Sequence, residues 1–229
     1  MTEKTLIKVV DLHKSFTTDA GTLHILKGIN IEINRGEFLS IVGASGVGKS
    51  TFLHLLGTLD RPTAGKIFYQ ETDTSELRNT ELARFRNQKI GFVFQFHYLL
   101  PEFNAIENTM MPSLISGINR TVAEDKAFKF LDAVGLKDRL THKPGELSGG
   151  EQQRVAVARA LIMEPEVILA DEPTGNLDSK TGKEIYSLLK SLNRTNGTTF
   201  VIATHNEVLA SQCDRRLKMV DGIIIDAGI

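Results

Sequence analysis

The stretch FLSIVGASGVGKSTFLHLL, residues 38–56, constrains the fold more than any other part of this chain. It reads as a short buried strand, Phe38–Val42, that stops at glycine and gives way to an apolar helix carrying Phe52, Leu53, Leu55 and Leu56, with Gly57 placed as its cap. Between them Gly43, Ala44, Ser45, Gly46, Val47, Gly48, Lys49 and Ser50 fit G-x-x-x-x-G-K-[ST], and Thr51 continues the same cradle. Glycines let the backbone curl until several N–H groups point inward, and the following helix adds its positive end. Lys49 brings a cation to the β- and γ-phosphates, which makes it a catalytic candidate as well as a binding one. The Ser50 hydroxyl is a ligand for Mg²⁺. A chance match in a chain this long has odds of about one in a hundred, and the strand–loop–helix setting lowers them. Nucleotide binding is the expectation.

The rest of the chain fits an α/β fold around that unit. Residues 5–10 read as a strand, and Ile29, Ile31 and Ile33 alternate with Asn30, Glu32 and Asn34 as in a strand with one wet face. RPTAGKIFY is a turn and a further strand, so a small β part stands near the N-terminus. From about residue 75 to 165 the pattern is mostly helical. Thr121 and Glu124 form a capping-box pair ahead of an Ala127, Phe130, Leu131, Val134 stripe that ends at Gly135. Strands at 167–170 and 200–204 flank a helix striped by Ile185, Leu188, Leu189 and Leu192. The expected architecture is one domain, 1–229, with a P-loop core at about 1–91 and 166–229 and a helical insertion at about 92–165.

The strand at 167–170 ends in Asp171–Glu172, at the edge where open α/β sheets bind ligands. Alone, a hydrophobic run followed by Asp-Glu reads as a solvated strand end. After GASGVGKS, Asp171 reads as a Mg²⁺ holder and Glu172 as the general base for an attacking water. His205 follows 200–204, where an imidazole can donate to a γ-phosphate and join the catalytic set. Gln95, in FVFQF, follows an apolar run, and its amide oxygen can accept Mg²⁺.

A second stretch, LSGGEQQR (147–154), raises a separate question. Ser148 and Glu151 fit a capping box for a helix at 151–161. That leaves Gly149 and Gly150 unexplained, since glycine weakens a helix and suits close backbone approach. Ser148, the N–H groups of Gly149 and Gly150, and the helix end with Glu151 make a second anion-binding corner. Placed on the insertion, it lies too far away to close on its own chain's P-loop. The economical arrangement is a C2 pair of chains trapping two ATP molecules, each between GASGVGKS of one copy and LSGGE of the other.

Net charge is -1, so no bulk basic field favours a nucleic-acid partner. Cys213 stands alone and cannot form an internal disulfide. No apolar run reaches the length of a membrane span, and MTEKTLIKVVDLHKSF lacks a signal-peptide core.

With these motifs in this order, the whole chain resembles the ATP-binding subunits of ABC transporters. GASGVGKS resembles Walker A, VILADE Walker B, Gln95 the Q-loop glutamine, LSGGEQQR the signature, GNLD (175–178) the D-loop and His205 the switch histidine. Phe16, in LHKSF, stands where the family usually has an adenine-stacking tyrosine; a phenyl face still stacks. The resemblance implies an ATP- and Mg²⁺-dependent hydrolytic motor, a second copy of itself, and separate membrane permease chains contacted near 95–103. There Phe96, Tyr98, Leu99, Leu100 and Phe103 form a cluster that suits either a socket for a partner helix or the insertion's own core. FQFHYLLPEF is similar to the branch holding lipoprotein-release, macrolide-export and cell-division ATPases, and most similar to the lipoprotein-release members. That implies a peripheral place on the cytoplasmic face of a bacterial inner membrane. A soluble ABC ATPase acting on DNA or ribosomes is the alternative from another class.

Overall fold

The computed structural model describes residues 4–19 and 21–226; the outer ends of the expected 1–229 domain lie outside the described residues. Two sheets organise them. β1 (Thr5–Thr18), β2 (Gly21–Asn34), β4 (Ala64–Tyr69) and β5 (Thr72–Asp73) form an antiparallel sheet in the order β2-β1-β4-β5. The larger sheet has six strands: β3 (Phe38–Val42), β6 (Ile90–Phe94), β7 (Val167–Asp171), β8 (Thr199–Thr204), β9 (Arg215–Val220) and β10 (Ile223–Asp226). Its order is β10-β9-β3-β8-β7-β6, all parallel except β10 against β9.

Every residue of β3 is buried, as its unbroken apolar pattern requires of a central parallel strand. Its two faces serve different layers. Leu39 and Ile41 join Phe52, Leu55 and the isoleucines of β2 in one core, on the side of α1 (Lys49–Leu56). Phe38 joins the other, with Tyr186, Ile185 and Leu189 of α6 (Ser179–Asn196) and Val155 and Ala158 of α5 (Gly149–Leu161). Gly57 closes α1 with its N–H on Leu53 O. Ile29, Ile31 and Ile33 are buried and Asn30 and Glu32 exposed, so the alternation in β2 does mark one wet face.

The first strand runs to Thr18 instead of stopping near residue 10, because β1 continues as a hairpin arm whose last pair is Thr18 with Gly21. Register shifts between Val9 and Leu12 and between Leu12 and His13 break the two-residue alternation there, which hides the strand from a periodicity reading.

Between β5 and β7 lie α2 (Asn79–Lys89), β6, α3 (Ala105–Ile115), α4 (Arg120–Ala133) and α5. β6 is paired with β7 in the large sheet, so residues 92–94 are sheet residues and the three helices follow them. The Thr121–Glu124 capping box is not formed. Asn119 caps α4 instead, its Oδ1 accepting from Thr121 N at 2.9 Å; an asparagine two residues earlier reaches the free N–H first and places Thr121 inside the first turn. Ala127 and Leu131 of α4, with Val134 just beyond it, are fully buried, and Gly135 follows with a positive φ of 79°.

Candidate active site

Parallel register brings the motifs to one edge. Val42 pairs with Thr204, Ala203 with Asp171, and Asp171 with Phe94. The glycine loop, Gln95, Asp171–Glu172 and His205 therefore all follow the carboxyl ends of neighbouring strands, the edge where such sheets bind ligands. Ser45, Gly46, Gly48, Lys49, Ser50, Thr51, Gln95, Asp171, Glu172 and His205 line one open cavity of 590 Å³, together with Ile25.

Gly48 caps α1 in the left-handed region at φ 108°, which few side chains adopt, and so turns the loop into the helix. Lys49 is buried, and its Nζ donates to Gly43 O at 2.8 Å and Ala44 O at 2.9 Å. Those two residues hold the ammonium without lining the cavity themselves. Val47 packs onto the core cluster beside α1.

Glu172 occupies a strained position, with φ at 46°. Its N–H donates to Ala203 O at 2.9 Å, which fixes the turn after β7 to the adjacent strand. His205 Nδ1 lies 2.9 Å from Glu172 Oε1, Thr204 Oγ1 donates to Oε2 at 3.2 Å, and Lys49 Nζ is 4.0 Å from Oε1. Thr204 in turn accepts from Asn206 N at 3.1 Å. A carboxylate held by a hydroxyl, an imidazole and a nearby ammonium is oriented to take a proton from water.

Asp171 is different. Burial pushes its carboxyl above the ordinary aspartate range, partly countered by a hydrogen bond from Ser50 and by the nearby His54 and Lys49. Its Oδ1 is buried with no hydrogen-bond partner among the described residues. An orphaned carboxylate oxygen beside a serine hydroxyl is a hard-oxygen donor set that fits a divalent cation. Gln95 lines the same cavity; its Nε2 donates to Asn176 Oδ1 at 2.9 Å and Asn176 Nδ2 returns a bond to Gln95 O at 3.2 Å.

The serine–glycine corner and Phe16 lie outside this cavity's lining. Ser148, Gly149, Gly150 and Glu151 stand at the start of α5, and Ser148 caps it as a full capping box. Ser148 Oγ accepts from Glu151 N at 3.3 Å and donates to Glu151 Oε2 at 2.9 Å. The helix begins at Gly149, not at 151, so both glycines belong to its first turn and their N–H groups are free of intrahelical partners. Gly150 also has a reason within the chain: a Cβ there would stand 2.6 Å from Thr181 Cγ2 of α6. Phe16, on β1, is 41% exposed, with Lys14 Nζ 4.8 Å from its ring centroid.

Sequence reasoning missed Ile25, Thr204 and Asn176. The last two neighbour His205 and Gly175 in motifs already noted, but nothing in their types announced a contact. Cys213 sits apart from the cavity, half-buried, its Sγ 2.7 Å from the Tyr186 hydroxyl.

Residues 26–175 match the family model described as ABC transporter. The chain belongs to the ABC transporter family. As an ABC ATPase it binds and hydrolyses ATP. It is 54% identical over 220 residues to the lipoprotein-releasing system ATP-binding protein LolD of Geobacter metallireducens, covering 96% of this chain and 98% of that one. It is likewise 54% identical to the protein of that name from Bacteroides fragilis, covering 96% of this chain and all of the relative. Among solved structures, the dimeric structure of a bacterial ABC transporter cassette superposes with a TM-score of 0.89 at 40% identity, over 98% of this chain and 100% of that one. A dimeric post-hydrolysis cassette bound to ADP and phosphate gives 0.88 at 39%, again over 98% and 100%. The P-loop α/β fold expected from GASGVGKS is the fold of these ABC cassettes.

Proposed function

We propose that this chain is the ATP-hydrolysing motor of a lipoprotein-release complex, working as a pair of copies against membrane permease chains. The observation that carries the hydrolytic part is the convergence of Lys49, Gln95, Asp171, Glu172 and His205 on one cavity that the serine–glycine corner does not line. In this reading Gly43, Ala44, Ser45, Gly46, Val47, Gly48, Lys49, Ser50 and Thr51 cradle the phosphates, and Phe16 stacks on the base. Ser50, Gln95 and Asp171 hold Mg²⁺, which when bound neutralises phosphate charge. Glu172 takes the proton of the attacking water, and His205 keeps its carboxylate aimed. Ser148, Gly149, Gly150 and Glu151 of a second copy close the site from the other side. The dimeric form of both cassettes above supports that arrangement.

The choice of lipoprotein release over macrolide export or cell division rests on the relatives named above, which match along nearly their whole length. Among the described residues no helix is long and apolar enough to cross a membrane, which fits a peripheral subunit held by separate permease chains. Beside β6 an apolar groove of 500 Å³, lined by Leu59, Phe92, Phe94, Leu100, Met111 and Ile115 among others, offers those chains a socket. Phe96, Tyr98 and Leu100 are exposed at or near it, whereas Leu99 packs onto the core beside α5, so the aromatic cluster divides between the two roles open to it. The division into a core of about 1–91 and 166–229 and an insertion of about 92–165 is part of the same proposal, with 92–94 paired in the sheet.

Pulling the chain from detergent-solubilised membranes and identifying the integral proteins that accompany it tests the proposal. Permeases of a lipoprotein-release system are the expected companions. An exporter or division partner, or ribosomes or DNA without any membrane protein, would contradict it.

A further inference from the structure

The last four residues of LSGGEQQR divide their work. Glu151 caps its own helix. Gln152 Nε2 donates backward to Pro144 O and Leu147 O, each at 3.0 Å, and Arg154 to Val134 O at 3.0 Å. Gln153 reaches the backbone beside both Glu172 and Gln95. It is fully buried, and its Nε2 donates to Pro173 O at 2.7 Å and to Phe94 O at 3.3 Å. Pro173 is the residue after Glu172, and Phe94 the residue before Gln95.

Its other end is unsatisfied: Oε1 is buried with no hydrogen-bond partner among the described residues. An unbranched apolar side chain of similar length would fill the space but leave both carbonyls without this donor. The two bonds tie one position of α5 to both turns at once. A second tie runs from the same helix: Arg159 donates to His97 O at 2.7 Å and to Tyr98 O at 2.8 Å, holding the segment after Gln95.

We propose that Gln153 is a positioning residue that couples the start of α5 to the backbone turns bearing Gln95 and Glu172. When Ser148 engages a triphosphate on the other copy, any displacement of α5 is carried by this amide to 94–95 and 172–173 together. The base and the amide are then set only in the closed pair. This rests on the two-copy site proposed above and adds the element that reports closure to the chemistry.

Two full-chain variants test it, with Glu172→Gln as the control. Gln153→Met keeps length and removes both donors. Expected are ATP affinity and KM within about twofold of wild type and kcat lower by about tenfold or more, the signature of a transition-state defect. The carboxyl introduced by Gln153→Glu is an anion in alkaline solution and donates nothing to the two carbonyls. Protonated in acid, it donates one bond, so the ratio of its kcat to wild type rises as pH falls from about 8.5 to about 6.5. Wild-type kcat in Gln153→Met beside an inactive Glu172→Gln removes this inference alone, as does a parallel loss of ATP affinity and kcat. Should Gln153→Met not fold, a flat pH ratio for Gln153→Glu overturns it. Undiminished hydrolysis by Glu172→Gln removes the site reading and this inference with it.

Discussion

His205 Nδ1 lies 2.9 Å from Glu172 Oε1, although the two residues leave different strands, β8 and β7. The contact exists because Ala203, next to the end of β8, pairs with Asp171 at the end of β7 and accepts the Glu172 N–H. Thr204 takes the other carboxylate oxygen. One strand end thus orients a carboxylate that its neighbour carries.

Glu172→Gln keeps the shape and hydrogen-bonding reach of that side chain but removes its basicity. Hydrolysis is expected to fall by about 10²–10⁴-fold with ATP binding retained, and the bound pair of copies should persist. Phosphate release and size-exclusion chromatography with ATP check both halves.

The edge of the sheet was legible from sequence, because a strand that ends in a glycine loop, in Asp-Glu or in histidine names its own carboxyl terminus. What sequence left open was the company those residues keep. Thr204 and Asn176 act through hydrogen bonds between distant segments, 32 and 81 residues apart in chain order, and no local pattern encodes such a pair. The S/T-x-x-E pattern at Thr121 and Glu124 does not mark the start of α4, because Asn119 offers an equally good oxygen two residues earlier. Gly150, which the sequence marks as a place of close backbone approach and part of an anion corner, has that close approach within the chain, because Thr181 of α6 leaves no room for a side chain.

That close approach gives a test by paired substitution. Gly150→Ala places a methyl against Thr181 Cγ2 and should destabilise the chain by about 1–3 kcal/mol. Adding Thr181→Ser removes the methyl while keeping the hydroxyl bond to Asp178, and should restore most of the loss. Urea unfolding of the four chains in the cycle measures the coupling; additive effects would rule the contact out.

Glu151 supplies a pH dependence. Hydrogen bonds from the Ser148 backbone, Arg139 and the Ser148 hydroxyl hold its carboxyl down to about 2. A folded value below the ordinary 4.5 means stability that is fully present above about pH 4.5 and is lost as pH falls toward 2. Glu151→Gln should cost about 1 kcal/mol at pH 7, with the gap to wild type narrowing below pH 4.5. Thermal unfolding at pH 7 and at the lowest pH where both chains stay folded checks the sign.

The groove beside β6 makes its own prediction. Ile115 is 72% exposed, so Ile115→Asp should change stability by less than about 0.5 kcal/mol. If the groove seats the permease chains, the variant should lose the integral proteins that accompany wild type out of solubilised membranes. Unchanged recovery would place the socket elsewhere.

The most direct test of a site completed by a second copy is complementation between two defective chains. Lys49→Ala removes the ammonium proposed to bind phosphate and leaves the Ser148 corner intact; Ser148→Arg does the reverse. Each alone should be inactive, and their mixture should recover ATP hydrolysis, because one seam of the mixed pair keeps both halves. A mixture as inactive as its components, or full activity in Ser148→Arg alone, would contradict a site shared between chains.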